Sequence, residues 1–327
     1  MRWQEAMRRA IRDPGELCRK LDLPESLADG RSAQDFTVFV PLEFLARMRP
    51  GDPDDPLLRQ VLSVEAENDT PDTYSLDPLA EQNASVLPGL LHKYHGRALL
   101  VTSGACAVHC RYCFRRHFPY QTVPKGLQAW QEALDHIAAD PTISEVLLSG
   151  GDPLTLVDPL LQSLLGALDR IPHVRRLRIH TRLPIVIPQR VTEALRDMLA
   201  ATRATSWVVV HCNHAAELDG PTLGALARLI DAGVPVLNQA VLLRGVNDSV
   251  AALEALSLRL VDHRIQPYYL HQLDRVQGAG HFEVDEATGL QLMAGLRQRV
   301  PGYAVPQYVR EQPGERSKTP IEPRPMP

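Results

Sequence analysis

Residues 97–113 read RALLVTSGACAVHCRYC, an apolar run typical of a strand that is followed at once by three cysteines. Comparable apolar runs recur along the chain, at 98–102, 145–148, 177–180, 207–211, 234–243 and 266–270. Between most of them lie segments of helical length, at 127–139, 160–171, 191–201, 222–232 and 250–261. Alternating strands and helices predict βα units and a parallel sheet that is buried on both faces. Six repeats suffice for a barrel or a partial barrel, and an open doubly wound sheet is the alternative.

The composition of the 327-residue chain is typical of a globular protein, with 44% hydrophobic and 23% charged residues. A net charge of −4 and an aromatic content of 5% argue against nucleic acid as a partner. No stretch approaches the ~20 apolar residues of a membrane helix, and the N-terminal MRWQEAMRRAIRDP lacks the apolar segment of a signal peptide. We therefore expect a cytoplasmic enzyme that binds neither nucleic acid nor a membrane.

The cysteines indicate a metal site. The chain has five of them, Cys18, Cys106, Cys110, Cys113 and Cys212. An odd number with three crowded together is a poor disulfide framework, and the two isolated ones are expected to be small buried residues. Three thiolates on one short loop can hold a polynuclear iron–sulfur cluster and leave one iron without a protein ligand. Zinc is the inorganic alternative, with His109 or His117 as its fourth ligand.

A second motif follows the next predicted strand, where residues 149–153 read SGGDP. Its glycines permit a close approach of the backbone to a ligand. Together with the C-x3-C-x2-C spacing of the cysteines, this motif resembles the radical S-adenosylmethionine (SAM) enzymes. The resemblance implies that the three cysteines hold a [4Fe–4S] cluster whose fourth iron binds SAM. It also implies that SAM contacts the glycine motif, which consists of Ser149, Gly150, Gly151 and Asp152.

Longer stretches narrow the resemblance to the lysine 2,3-aminomutases, which combine SAM with pyridoxal phosphate (PLP). These stretches are CRYCFRRHFPY, RIHTRLPIVIPQR, NQAVLLRGVND and PYYLHQLD. Those enzymes carry the PLP lysine in a loop near the C-terminus, and Lys318 lies at the matching place in PGERSKTP, residues 313–320. The glycine run that is typical of the family is replaced here by GERS. The resemblance implies Lys318 as the Schiff-base residue and L-lysine as the substrate.

The same resemblance implies roles for further residues of the pocket. Arg97 and Tyr94 would bind the PLP phosphate, and Arg115 would pair with the carboxylate of the substrate. Asp274 and Glu311 would hold the ε-ammonium group, so that one cation and two anions together measure the length of lysine. The strand ends place two more polar residues near SAM or PLP, His211 and Gln239. For His211 a core histidine with satisfied hydrogen bonds is the alternative.

One branch of the family matches best, in GRSAQDF, GDPDDPLLRQVL and VPGLLHKYHGRALLV. In that branch L-lysine becomes (R)-β-lysine, which a separate ligase attaches to elongation factor P. The resemblance implies a one-electron reductant such as flavodoxin or ferredoxin. It also implies an α/β fold of three parts. These are a mainly helical extension (1–90), a partial (β/α)6 barrel of the radical SAM type (91–285), and a C-terminal helix with the PLP-lysine loop (286–327).

Three other functions remain open at this point. A free-standing lysine 2,3-aminomutase would supply β-lysine to metabolism and not to a translation factor. A radical SAM enzyme without PLP would not need Lys318. A binding module stabilised by zinc would have no catalytic activity, and it would contain zinc in place of iron and sulfide.

Overall fold

The computed structural model describes residues 2–69 and 71–323. Its α-helices within these ranges are α1 (Trp3–Arg8), α2 (Pro14–Lys20), α3 (Gly30–Asp35), α4 (Leu42–Leu45), α5 (Pro56–Arg59), α6 (Gln131–Ala139), α7 (Asp158–Asp169), α8 (Leu183–Val186), α9 (Glu193–Ala200), α10 (Gly220–Asp231), α11 (Val250–Val261) and α12 (Glu286–Arg297). Its strands there are β1 (Ser85–Leu87), β2 (Leu90–Tyr94), β3 (Arg97–Ser103), β4 (Glu145–Gly150), β5 (Arg176–Thr181), β6 (Thr205–His211), β7 (Val236–Val241), β8 (Gln266–His271), β9 (Gln307–Arg310) and β10 (Thr319–Pro320).

The ten described strands form one sheet in which their spatial order is their order along the chain. Strands β3 to β9 run parallel to one another, whereas β1, β2 and β10 are antiparallel to their neighbours at the two edges. The six strands predicted from the sequence correspond to β3–β8, and a helix connects each of them to the next. Sequential parallel strands with helical crossovers are the arrangement of a (β/α) barrel.

Alternate residues of the parallel strands face two different environments. One row of register partners, Leu100, Leu148, Ile179, Val208 and Val236, is apolar and at most 3% exposed. The neighbouring positions within each strand are more polar as a set. They face a single cavity, to which all the strands from β3 to β8 contribute. Because successive side chains of a strand point to opposite faces, the sheet has a helix-covered outer face and an inner face that surrounds the cavity.

The crossover helices begin at residues whose side chains cap them. Thr192, Asp219 and Ser249 each accept a hydrogen bond from a backbone N–H three residues further on, at the starts of α9, α10 and α11. Such caps satisfy backbone donors that have no partner within the helix. Each helix therefore has a defined start after its strand–helix loop, and the loops gather at the carboxyl edge of the sheet. None of the described helices has both the length and the apolar character to cross a membrane.

Four short strands at the edges of the sheet were not predicted. The hairpin of β1 and β2 lies largely within the extension expected to be mainly helical, and β9 and β10 lie in the C-terminal part expected to be a helix and a loop. Strand β9 pairs with β8 in parallel, so the sheet continues beyond the six predicted repeats. Strand β10 begins one residue after Lys318 and anchors the loop that carries it. The division of the chain near residues 90 and 285 stays a prediction.

Candidate active site

One cavity of about 510 Å³ lies at the carboxyl ends of β3–β8. All fifteen residues that the sequence analysis placed in a site line this cavity, from the three cysteines to Lys318. They come from eight different strands or strand ends and are separated by as much as two thirds of the chain. In parallel α/β folds the loops after the strands form the ligand site, and the location of this cavity agrees with that rule.

The cysteine loop leaves β3 and turns back on itself, with the backbone N–H of Cys113 donating to the carbonyl oxygen of Cys110 at 3.0 Å. Burial and the neighbouring thiol of Cys110 raise the pKa of Cys113 to about 12, and burial raises that of Cys106 well above its usual value. Thiols bind a metal as thiolates, so Cys106 and Cys113 stay neutral unless a cationic metal group stabilises their ionised form. The donor set fits an iron–sulfur cluster.

The two histidines considered as a fourth zinc ligand have other partners. Nδ1 of His109 lies 2.7 Å from the carbonyl oxygen of Thr37, and Nε2 of His117 lies 3.3 Å from that of Gln277. Within residues 2–69 and 71–323, no three Cys, His, Asp or Glu side chains surround a point where one metal ion could bind. A cluster of several irons needs no such common point, because each thiolate binds its own iron.

Gly150 and Gly151 bring the end of β4 into backbone contact with the cysteine loop. The N–H of Gly151 donates to the carbonyl oxygen of Ser103 at 2.7 Å, and that of Asp152 donates to Ala105 at 2.8 Å. A Cβ atom at Gly150 would lie 2.5 Å from the Ser103 oxygen, and one at Gly151 would lie 2.4 Å from the Ala105 oxygen. The glycines are therefore required first for packing against the cysteine loop, a reason that differs from the expected approach to a ligand.

The carboxylate of Asp152 is occupied by protein donors. It accepts hydrogen bonds from the backbone N–H groups of Leu154, Arg182 and Leu183 and from the hydroxyl of Thr181, at 2.7 to 3.0 Å. Burial raises its pKa to about 6 in spite of these donors. The side chain thus ties the end of β4 to the end of β5, and Asp152 supports the glycine motif more than it offers a free ligand atom.

His211 and Gln239 are register partners on β6 and β7, and both face the cavity. Nε2 of His211 lies 2.8 Å from the hydroxyl of Tyr112, a residue of the cysteine loop. Burial and the charge of Arg182 lower the pKa of His211 to about 3, so the imidazole is neutral at physiological pH. This histidine connects the cysteine loop to β6 and also borders the cavity, which combines the two alternatives left open by the sequence.

The cavity also contains arginine and histidine side chains with buried nitrogen atoms that lack partners. Arg97 lies over the ring of Tyr94, 5.0 Å from its centre, and its Nε atom is buried without a hydrogen-bond partner. Three further buried nitrogens that border the same space also lack partners, in Arg178, His180 and His271. Buried polar atoms normally have partners, so these side chains fit an anionic, hydrogen-bonding group such as the phosphate and ring of PLP.

Lys318 reaches the cavity wall and forms an ion pair with Glu311. The other oxygen of Glu311 accepts hydrogen bonds from Lys93 Nζ at 2.8 Å and from the Tyr94 hydroxyl at 2.9 Å. Burial raises the pKa of Glu311, but the two ammonium groups outweigh burial and lower it below the usual value. Sequence reasoning missed Lys93, which lies beside Tyr94 in the chain but 218 positions from Glu311.

The two remaining predicted substrate ligands differ in their partners. Arg115 is 5% exposed and makes two hydrogen bonds with Glu81, at 2.7 and 2.6 Å, as well as one with the Ser149 hydroxyl at 3.0 Å. Asp274 has no ion-pair partner within the described residues, and burial together with the charge of Glu311 raises its pKa to about 7. Glu81 was not predicted, because nothing in its sequence surroundings sets it apart.

Comparison with known proteins identifies the family. The chain is 51% identical to the L-lysine 2,3-aminomutase of Escherichia coli (strain K12) over 323 residues. The match covers 98% of this chain and 94% of that protein. The chain belongs to the lysine 2,3-aminomutase family. The L-lysine 2,3-aminomutase of Haemophilus influenzae is 46% identical over 319 residues, 97% of this chain and 94% of its own length. The L-lysine 2,3-aminomutase of Clostridium subterminale is 37% identical, and the match covers 78% of its length.

The fold of this aminomutase is also found among solved structures. Streptococcus suis SuiB matches 67% of this chain and 50% of its own chain with a TM-score of 0.50 and a sequence identity of 16%. The predicted partial barrel of the radical SAM type is confirmed. No protein-family model matches the chain.

Family membership favours a PLP-dependent aminomutase over two of the functions left open by the sequence, the radical SAM enzyme without PLP and the zinc-stabilised binding module. The chain is an isomerase, and the prediction of a radical SAM, PLP-dependent lysine 2,3-aminomutase is confirmed. The predicted cofactors, a [4Fe–4S] cluster, SAM and PLP, are those of the family. This result favours the enzyme over the zinc-stabilised binding module. The roles of individual residues, the link to elongation factor P and the cytoplasmic location stay predictions.

Proposed function

We propose that this chain converts L-lysine into (R)-β-lysine in the cavity at the carboxyl edge of the sheet, for the modification of elongation factor P. The observation that carries the proposal is that one cavity joins three thiols, an accessible lysine, a buried arginine and two carboxylates. The thiols match one iron–sulfur cluster, and the lysine matches one aldehyde cofactor, PLP. The arginine and the carboxylates match the two charged ends of one amino acid. A one-electron reductant such as flavodoxin or ferredoxin would complete the system.

The thiols of Cys106, Cys110 and Cys113 would hold the cluster, and the backbone around Gly150 and Gly151 would form the adjoining wall of the SAM site. When bound, the cluster and SAM supply one-electron chemistry for the removal of a hydrogen atom, and PLP supplies a conjugated ring that can share an unpaired electron. The protein positions these groups and keeps water from the cavity.

Arg97 would bind the PLP phosphate, since its guanidinium group faces the cavity without an acidic partner among the described residues. Lys318 would provide the amine that holds the cofactor. In the structure Glu311 keeps that amine at the cavity wall, and Lys93 remains to balance the charge of Glu311 when Lys318 leaves it. Glu311 is therefore able to release Lys318 without becoming an unpaired buried charge.

Recognition of lysine would take place at two separated points. Arg115 would bind the α-carboxylate, and Asp274 with Glu311 would bind the ε-ammonium. Asp274 is a half-buried carboxylate of the cavity that has no ion-pair partner among the described residues, so the substrate would supply the charge that this residue lacks. Amino acids with a shorter side chain or no terminal ammonium leave that charge unpaired and bind more weakly.

The proposal is tested by anaerobic turnover. Reconstituted protein is incubated with SAM, PLP, dithionite and L-lysine, and β-lysine is measured by chiral chromatography with mass spectrometry. The (R) product is expected, and the product is expected to serve a ligase that modifies elongation factor P. The (S) product, or an (R) product that such a ligase rejects, would favour the free-standing aminomutase of β-lysine metabolism.

Lys318→Met separates PLP-dependent chemistry from a radical reaction that needs no PLP. This variant is expected to lose both turnover and the visible absorbance of lysine-bound PLP, whereas Lys125→Met, at an exposed position, is expected to retain both. Undiminished β-lysine formation by Lys318→Met would contradict the assigned role.

A further inference from the structure

Arg182 follows β5 and lies against the cysteine loop. Its Nη1 atom is 2.8 Å from Sγ of Cys110 and 2.8 Å from the hydroxyl of Tyr112. Among the described residues it is the one arginine whose side chain donates to a cysteine sulfur. Arg182 belongs to none of the predicted sites, although it lies within RIHTRLPIVIPQR, one of the stretches that carry the family resemblance.

Four groups hold Arg182 in this position. Nη2 donates to Gln60 at 2.6 Å and to Glu217 at 2.9 Å, and the guanidinium lies 5.4 Å from the centre of the Phe44 ring. Its backbone N–H is bound by Asp152 at 2.8 Å. Such a set of contacts leaves the guanidinium little freedom to turn away from Cys110.

The charge of Arg182 is shielded from water. The residue is 7% exposed, and its partner Glu217 is fully buried. Glu217 is itself fixed by the backbone N–H of Asn213 at 2.9 Å and by the Gln60 amide at 3.2 Å. In an environment of low polarity a charge at contact distance has a much larger effect than the same charge at the surface.

We propose that Arg182 is a positioning residue that raises the reduction potential of the cluster through its hydrogen bond and positive charge at Cys110. The proposal rests on the proposed function, since it requires the cluster to be bound by these three thiols. Reduction adds one electron to the cluster and therefore one negative charge. A donor and a cation at a ligand sulfur stabilise the reduced form more than the oxidised form.

The neighbouring carboxylate, Glu217, offers a control variant whose expected effect has the opposite sign. Glu217 lies on the far side of the guanidinium, so its negative charge offsets part of the effect of Arg182 on the cluster. Loss of the arginine charge and loss of the glutamate charge must therefore move the potential in opposite directions. A merely structural role predicts no such opposition, because both substitutions would loosen the same contacts.

The experiment measures the potential of the reconstituted full-length enzyme by redox titration followed by electron paramagnetic resonance, without turnover. Arg182→Gln is expected to decrease the equilibrium constant for one-electron reduction tenfold or more, a shift of about 59 mV to more negative potential. Glu217→Gln is expected to shift the potential to less negative values. Arg190→Gln is the matched control, because Arg190 is also buried but binds Leu154, Leu156 and Asp158 instead of a cysteine.

The possible results distinguish a failure of the role of Arg182 from a failure of the proposed function. An unchanged potential in Arg182→Gln at full iron content, or shifts of the same sign in both variants, would overturn the role of Arg182. If Arg182→Gln does not fold, Glu217→Gln decides alone, and a fall or no change in its potential would overturn the role. A wild-type protein that forms no [4Fe–4S] signal on reconstitution would instead contradict the proposed function.

Discussion

The guanidinium group of Arg115 already holds a carboxylate, that of Glu81, in two hydrogen bonds of 2.7 and 2.6 Å. A substrate carboxylate that binds Arg115 must compete with Glu81 for the same fork of donors. We therefore expect Glu81→Gln to lower the KM for L-lysine by roughly three- to tenfold with little change in kcat, because a neutral amide competes less strongly. Steady-state kinetics of β-lysine formation measure both constants.

The control for this variant is Glu286→Gln. Glu286 also pairs with an arginine, Arg310, but the pair is about 40% exposed and lies outside the cavity. The KM of Glu286→Gln for L-lysine is expected to match that of the wild type. A KM for lysine that rises in Glu81→Gln would show that Glu81 orients Arg115 for the substrate and does not compete with it.

We expect Asp274 to make lysine recognition depend on pH. Burial, with the charge of Glu311 added, raises its pKa to about 7, above the usual value for a carboxyl group. The ionised form attracts the ε-ammonium and the protonated form does not, so kcat/KM for lysine is expected to fall as the pH decreases below about 7. Above that pH the carboxylate is ionised and the profile is expected to level off.

Asp274→Asn tests the assignment of this titration. The variant is expected to lose the acid limb centred near pH 7 and to lower kcat/KM about ten- to a hundredfold at high pH. Asp135→Asn on α6, at an exposed position, is expected to keep the wild-type profile. Persistence of the limb in Asp274→Asn would assign the titration to another group.

At this scale the sequence predicted fifteen residues that line the cavity but not their partners. The fifteen residues came from motifs that lie within a few positions of one another or from the family resemblance, and all of them border the cavity. The contacts of Lys93 with Glu311 and of Arg182 with Cys110 join residues 218 and 72 positions apart. No local pattern records such pairs, since they exist only after the strands have assembled.

At the scale of elements, the turn after β4 is fixed by the absence of a side chain at Gly150. The residue has a φ of +121°, and an added Cβ would lie 2.5 Å from the backbone oxygen of Ser103, which has no flexible atom to move aside. We expect Gly150→Ala to displace the cysteine loop, to lower the iron content after reconstitution and to reduce the free energy of unfolding by about 1–3 kcal/mol. Iron analysis and urea unfolding measure these changes.

Gly224→Ala on α10 is the matched control, because a Cβ there meets no atom within 4 Å. Alanine is the better helix former, so this variant is expected to retain full iron content and to gain about 0.5–1 kcal/mol. Normal iron content in Gly150→Ala would mean that the loop after β4 adapts to a side chain.

The long elements were predictable and the short ones were not. Strands β3–β8 have six or seven residues each, with apolar residues in alternating or continuous runs, and the amphipathic helices between them have a regular spacing of leucines. By contrast, β1 has three residues, β9 four and β10 two, too few for a period-two pattern to be recognised. These edge strands form because a neighbouring strand offers unpaired backbone groups, a tertiary effect that propensity does not contain.

At the scale of the whole molecule, the N-terminal extension and the cysteine loop form one structure. Arg111, within the cysteine loop, is fully buried and donates to Glu67 at 2.8 and 2.6 Å and to the Ser32 carbonyl at 3.1 Å. Arg116 donates to the same carboxylate at 3.0 Å. One glutamate of the extension thus balances two buried arginines of the barrel, and the extension is part of the cluster site through this contact.

Glu67→Gln tests how far the loop depends on that contact. The variant leaves two buried guanidinium groups without a negative charge, and removal of one partner from a buried ion pair costs about 3–5 kcal/mol. We expect a loss of this size in the free energy of unfolding and a parallel loss of iron, because the unpaired arginines force the cysteine loop away from the extension. Glu25→Gln breaks an exposed pair with Arg19 and is expected to change stability by less than about 1 kcal/mol. Full iron content in a destabilised Glu67→Gln protein would show that the loop is positioned by the barrel alone and that the extension adds only stability.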